Sequence, residues 1–258
     1  MIVNDRGDYF EWIDQHEHAR ISGLLFLEWK DPEIESSSLR EVLYHAIRYH
    51  DRAWISLDRN PKWNELENRP YSFIDYPEKE KLKAYERGID ESTKEHVYCG
   101  LLSSRHYVSF FPHPTSTFAQ QFVKREKERQ QLLRKKVPIP LEEEEQHFKL
   151  LQWMDDISLY MCMNQPGATK EEEISWFRHG FRHTFPFLNE QMIIASFVSA
   201  DTIQLEPFPF QRSGIHVTIE TAHIDKKTIQ QDSFHSAFRE RKKEKRAFQL
   251  VSSRKEAL

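Results

Sequence analysis

Histidines and aspartates occupy core positions on three well-separated helical segments of this chain. A fold that buries such groups must bring them to partners, because an unpaired buried carboxylate costs several kcal/mol. In the middle segment the apolar stripe runs Leu39, Val42, Leu43, Ala46, His50, Ala53 and Trp54 at helical spacing, opened by Ser38 and Glu41 in the pattern of a capping box. Asp51 lies about 100° further round, at the edge of that stripe with Ile47 and Trp54, so it too points inward. The first segment aligns His18 with Ile21, Ser22, Leu25 and Trp29, and the last aligns Asp155 with Leu151, Ser158 and Cys162. Asp156 falls instead with Gln152 and Tyr160, and the periodicity predicts that it faces solvent or a helix neighbour.

Taken singly, each residue has an ordinary explanation: a core histidine bonded to a carbonyl, or an aspartate capping a helix. Four together point to a cation. Adjacent residues do not share a helix face, so an ion bound by His50 and Asp51 sits in the angle between them and draws His18 and Asp155 from neighbouring helices. Imidazole and carboxylate donors with open positions suit a divalent metal ion such as Mn, Fe, Mg or Zn.

The succession H, then HD, then D resembles the HD superfamily of metal-dependent phosphohydrolases, whose four motif ligands would be His18, His50, Asp51 and Asp155. Arg52, Ala53 and Trp54 follow HD here, where many HD enzymes have a small residue and a Lys. More closely, Gln15–Ala19 with Ser22, Gly23 and Trp29, His50-Asp51 with Trp54, Ser104-Arg105-His106, and Asp155 with Ile157, Ser158, Leu159 and Cys162 resemble an uncharacterised bacterial family of unknown function, DUF3891. That resemblance extends over about residues 1–250. It implies a fold and a site but no substrate. The expected fold is mainly α: an HD-like helical core over 1–165, and a β-rich region over 166–258 that forms a small antiparallel sheet, α+β overall.

Composition narrows the function classes. A net charge of −4, with 30% charged residues, gives no basic excess to hold nucleic acid. Cys99 and Cys162 belong to no CxxC pair and read as buried small hydrophobes of a reducing cytosol. The opening MIVNDRGDYF has no signal-peptide pattern and no stretch reaches about 18 apolar residues, so a cytoplasmic protein without membrane contact is expected.

Along the chain, Ile2-Val3 and Tyr9–Ile13 alternate as a hairpin around the turn Asp5-Arg6-Gly7-Asp8, which can join the C-terminal sheet. Asp58–Pro77 is an aromatic-rich loop suited to cover the metal site or pack on the core. Helices are predicted over 78–93, 96–110 and 116–136; the second turns His106 inward as a fifth candidate, and the charges of the third read as a solvated face. His179 and His183 have the spacing of a helical metal pair, but Gly180 and Pro186 argue against a helix there. Alternation over 193–198, 203–205, 215–220 and 247–251 predicts one antiparallel sheet.

The expected activity is metal-dependent hydrolysis of a small-molecule phosphate ester or nucleotide, with Asp51 and His106 as catalytic candidates and Arg20, Arg52 and Arg105 as candidates for the phosphate. Two alternatives stand beside it. One is a di-iron oxygenase of HD type using His96 and His106 for a second metal; the other is a non-catalytic ligand-binding protein.

Overall fold

The structure, a computed structural model, describes residues 1–253. Strands β1 (Ile2–Asp5) and β2 (Tyr9–Ile13) form a hairpin whose turn holds Gly7 at φ +81°, a left-handed conformation that favours glycine. Helices α1 (Gln15–Leu27), α2 (Pro32–Ser36), α3 (Arg40–Arg48) and α4 (Ile55–Arg59) follow, with a 3-10 turn at Arg52–Trp54. A two-residue ladder, β3 (Trp63–Asn64) and β4 (Arg69–Pro70), precedes four longer helices: α5 (Glu78–Glu95), α6 (Val97–Ser109), α7 (Thr117–Lys136) and α8 (Leu141–Met163). After an irregular stretch with a 3-10 turn at Pro186–Leu188 come β5 (Ile194–Phe197), β6 (Thr202–Glu206), β7 (Ile215–Asp225), α9 (Lys226–Gln231), α10 (Phe234–Arg239) and β8 (Lys242–Ser252).

Six strands make one sheet in the order β1-β2-β7-β8-β6-β5. Its inner face carries Ile203, Leu205, Val217, Ile219, Phe248 and Leu250, all buried. Residues outside them on β7, such as His216, Thr218 and Glu220, stay exposed, as half-buried strands require. Helix α1 packs on β7 and α8 on β1. This architecture corrects the expected HD-like helical core with a small antiparallel sheet. The chain is an α+β fold with a large mixed sheet that takes strands from both sides of residue 165. One pairing, β6 with β8, is parallel: β8 inserts between β7 and β6 and runs antiparallel to β7.

Helix α8 lies at the centre of the molecule. From His147 onward nearly every residue is buried on all sides, as expected of a helix enclosed by others. Helix α7 sits outside it, and its charges pair across to neighbours: Arg125 with Glu86, Arg129 with Asp90, Arg134 with Glu144. Ser38 is not the cap expected of it. Helix α3 begins at Arg40, and the hydroxyl of Ser37 accepts from Leu39 N at 3.1 Å. Cys99 and Cys162 are buried and unpaired, and no helix among the described residues is long and apolar enough to cross a membrane.

Candidate metal centre

Two close helix contacts shape the site. A Cβ on Gly23 of α1 would stand 2.8 Å from Arg48 Cδ and 3.2 Å from Arg48 Cα, so this glycine lets α1 press on the end of α3. A Cβ on Gly88 of α5 would stand 2.7 Å from Ala53 Cβ, which brings α5 against the 3-10 turn. Between these contacts α3 ends. Tyr49 (φ −121°, ψ 18°) and Asp51 (φ −106°, ψ 24°) leave helical geometry, so His50 and Asp51 lie in a break rather than on one continuous helix. The break removes the difficulty posed by adjacent residues. Both side chains now turn to the same point.

His18, His50, Asp51 and Asp155 meet there, all at most 3% exposed. His18 Nε2 lies 2.9 Å from Asp51 Oδ2 and His18 Nδ1 lies 3.8 Å from Asp155 Oδ1. His50 Nε2 lies 3.4 Å from Asp155 Oδ1 and 3.9 Å from Asp51 Oδ2. His106, from α6, joins them with Nε2 3.8 Å from Asp51 Oδ1. Donors bonded at about 2.1 Å to one ion at tetrahedral or octahedral angles stand roughly 3.0–3.4 Å apart; His18 faces Asp51 through Nε2 but Asp155 through Nδ1, the nitrogen beside Ser158, so the cluster approaches that spacing as triples rather than as one set of four. Two overlapping triples, His18-His50-Asp51 and His50-His106-Asp155, each keep their candidate ligand atoms within 4.8 Å of one another.

The surroundings orient the rings. His50 Nδ1 donates to Ile47 O at 2.8 Å, which turns Nε2 toward the carboxylates. The Ser158 hydroxyl donates to Asp155 O at 2.9 Å, leaving its oxygen to accept from His18 Nδ1 at 2.9 Å. Four buried atoms nonetheless have no hydrogen-bond partner: His50 Nε2, Asp51 Oδ1 and both ring nitrogens of His106. Buried polar atoms without partners are rare in native proteins and call for an explanation.

Electrostatics follow from this packing. Burial works against a charged His50, but the charges of Asp51 and Asp155 outweigh it and lift the imidazole to about 9. Burial opposes ionisation of Asp51 and Asp155 as well, yet the three histidines hold both below the usual carboxylate range. His106 moves the other way, pushed down to about 4 by burial, and is therefore neutral at pH 7. A proton on His50 and a metal cation are alternative ways of neutralising the same two carboxylates.

The carboxylates of Asp51 and Asp155 line a cavity of about 280 Å³, with walls that include Trp54, Phe73, Ile74, Tyr85, Phe110 and Trp176. The 58–77 loop supplies Phe73 and Ile74, so part of it borders the site. Asp156 corrects the expectation from periodicity: it is 6% exposed, borders the same cavity, and is gripped by both Nε (2.7 Å) and Nη2 of Arg182. Because α8 is enclosed on every side, its second face is interior too. Burial, countered by Arg182, raises the Asp156 carboxyl to about 6.

The arginines singled out from sequence stand elsewhere. Arg20 pairs with Glu17 and donates to Thr218 O, Arg52 pairs with Glu95, and Arg105 holds Glu144 and Glu145; none lines the cavity. The cations that do line it are Lys81 and Arg182, which no motif marked. His96 accepts from Tyr98 N as the cap of α6 and borders a different hollow. His183 does not line the cavity; its Nε2 lies 2.9 Å from Gln152 Oε1.

Fold and site together define an α+β protein with a buried histidine–aspartate cluster whose two aspartates border a small cavity. The chain belongs to the family described as "Protein of unknown function (DUF3891)", whose model matches residues 1–226 and so includes all five clustered residues. No curated protein and no solved structure matches it.

Proposed function

We propose that this protein is a metal-dependent hydrolase acting on a phosphate ester, with one divalent ion held by His18, His50, Asp51 and Asp155. The observation that carries the reading is the set of unpartnered buried atoms on His50, Asp51 and His106, gathered around the two carboxylates, Asp51 and Asp155, that border a cavity. Such atoms are explained when a cation and a reacting water complete them.

The chemistry supplied at this site when a divalent ion is bound would be Lewis acidity, which lowers the pKa of a bound water and withdraws charge from a phosphoryl oxygen. The chain's own groups do the rest. Asp51 presents Oδ2 toward His18 and leaves Oδ1 free toward His106, so it can ligate with one oxygen and orient water with the other. His106, with both ring nitrogens free of hydrogen-bond partners and Nε2 3.8 Å from Asp51 Oδ1, is placed to take a proton from that water. The aromatic walls keep bulk solvent from the reacting atoms.

One ion is favoured over two. The two ligand triples share His50, and with Nδ1 committed to Ile47 only its Nε2 is free to serve a metal. His96, which a second iron would need, is not at the site. The test begins with elemental analysis of protein purified without chelator, where about one equivalent of metal per chain is expected. Metal-loaded protein should then hydrolyse members of a phosphoester panel, and His50→Ala should abolish turnover. Folded, metal-free protein would overturn the reading in favour of a ligand-binding role.

A further inference from the structure

The cavity above the cluster holds an unusual set of side chains. Lys81 lines it from α5, half-buried, its Nζ 3.5 Å from Phe73 O; Glu78 and Asp75 act on its charge from a distance, but among the described residues no carboxylate is in salt-bridge contact with it. Gln15 is 2% exposed and lines the same space with its amide oxygen unpartnered. Around the mouth stand Ile74, Phe110 and Trp176, which are 55%, 44% and 54% exposed. Large apolar side chains exposed together at one opening mark a surface kept for contact. Arg182 is a less available donor, since its fork is already taken by Asp156.

We propose that this cavity binds a small phosphate monoester with a flat apolar organic group, with Lys81 as counter-charge to the phosphate and Trp176, Phe110 and Ile74 as the platform for the organic part. The inference rests on the hydrolase reading and names its substrate class. Three features carry it. A lysine ammonium at a cavity wall with no carboxylate in direct contact can take an anion as counter-charge. An aromatic rim offers a flat apolar face on which a planar, apolar group can stack. A volume of about 280 Å³ falls at the small end of ligand pockets, which disfavours a nucleoside triphosphate or a polymer.

Binding is tested with phenyl phosphate as the probe, read by quenching of tryptophan fluorescence, since Trp54 and Trp176 both border the cavity. Each variant is first checked for an unchanged melting temperature and metal content. Lys81→Gln should raise the Kd for phenyl phosphate at least tenfold, and Lys81→Arg should restore it to within about threefold of wild type. Trp176→Ala should weaken phenyl phosphate about fivefold while leaving inorganic phosphate unchanged. Unaltered phenyl phosphate binding in folded Lys81→Gln would overturn the proposal, as would inorganic phosphate binding as tightly as phenyl phosphate. The two readings separate in the same experiment. Protein that holds its metal but shows no Lys81-dependent binding refutes this proposal alone. Protein that binds phenyl phosphate through Lys81 yet never retains a metal refutes the hydrolase and leaves the binding site standing.

Discussion

Stripping a bound ion from the native protein is expected to lower its melting temperature by roughly 5–11 °C. The structure supplies the reason: without a cation, His50 Nε2, Asp51 Oδ1 and the His106 nitrogens stay buried and unpartnered. Each such atom costs about 1–3 kcal/mol. A ligand that binds only the folded chain stabilises it by about 2.7 kcal/mol when its free concentration is one hundred times Kd. In a domain of this size 1 kcal/mol moves the melting temperature by about 2–4 °C, which gives the range stated. Each further tenfold rise in free metal should add about 1.4 kcal/mol, or roughly 3–6 °C. Calorimetric melts of chelator-treated protein, retitrated with Mn, Zn or Mg, measure this directly. Asp51→Asn keeps the side chain's shape but removes its charge, so its melting temperature should stay flat across the series. A wild-type melt that ignores chelator and metal alike would refute the reasoning, and so would an equal shift in Asp51→Asn.

Other outcomes follow from the same geometry. Asp51→Ala should lose the metal and Asp156→Ala should retain it, by elemental analysis; equal loss would show that Asp156 is a ligand rather than the partner of Arg182. Arg182→Ala leaves Asp156 buried without its cation and should destabilise by about 2–3 kcal/mol in urea melts, less than a fully enclosed pair because the Arg182 side chain is 43% exposed. Gly88→Ala puts a methyl 2.7 Å from Ala53 Cβ, two residues from Asp51, and should cost about 1–3 kcal/mol together with metal affinity. An unchanged urea midpoint and metal Kd would mean that α5 yields freely. His147 is buried, pushed down to about 4 by that burial, and takes the Tyr98 hydroxyl at 2.8 Å. Its folded pKa is depressed, so the unfolded chain binds the extra proton first. Stability is therefore full above about 6.5 and falls as pH drops toward 4, by an amount on the order of 1–2 kcal/mol at pH 5. His147→Gln should flatten that acid limb in urea melts between pH 7 and pH 5.

Periodicity located the inward residues because burial repeats along a helix whatever the helix packs against. His18, His106 and Asp155 each lie on such a stripe, and the structure brings them together with His50 and Asp51. What periodicity could not show is where a helix stops. His50 and Asp51 share a destination only because α3 ends at Arg48, and the contacts at Gly23 and Gly88 that frame this end join residues far apart in sequence. The same blindness hid Asp156, since a stripe has a polar back only when solvent lies behind it, and behind α8 lie Arg182 and the cavity. Lys81 was illegible for a related reason. A lysine on a charged helix such as Glu78–Glu95 reads as surface, and only the position of the 58–77 loop over it makes it a wall of the site. The sheet was underestimated because alternation marks strands but not their partners: β8 pairs antiparallel with β7 on one side and parallel with β6 on the other. Residues whose chemistry depends on their own helix were thus readable from the sequence. Those whose chemistry depends on what a distant loop or strand brings beside them were not, and Lys81 and Arg182, which border the cavity, are of the second kind.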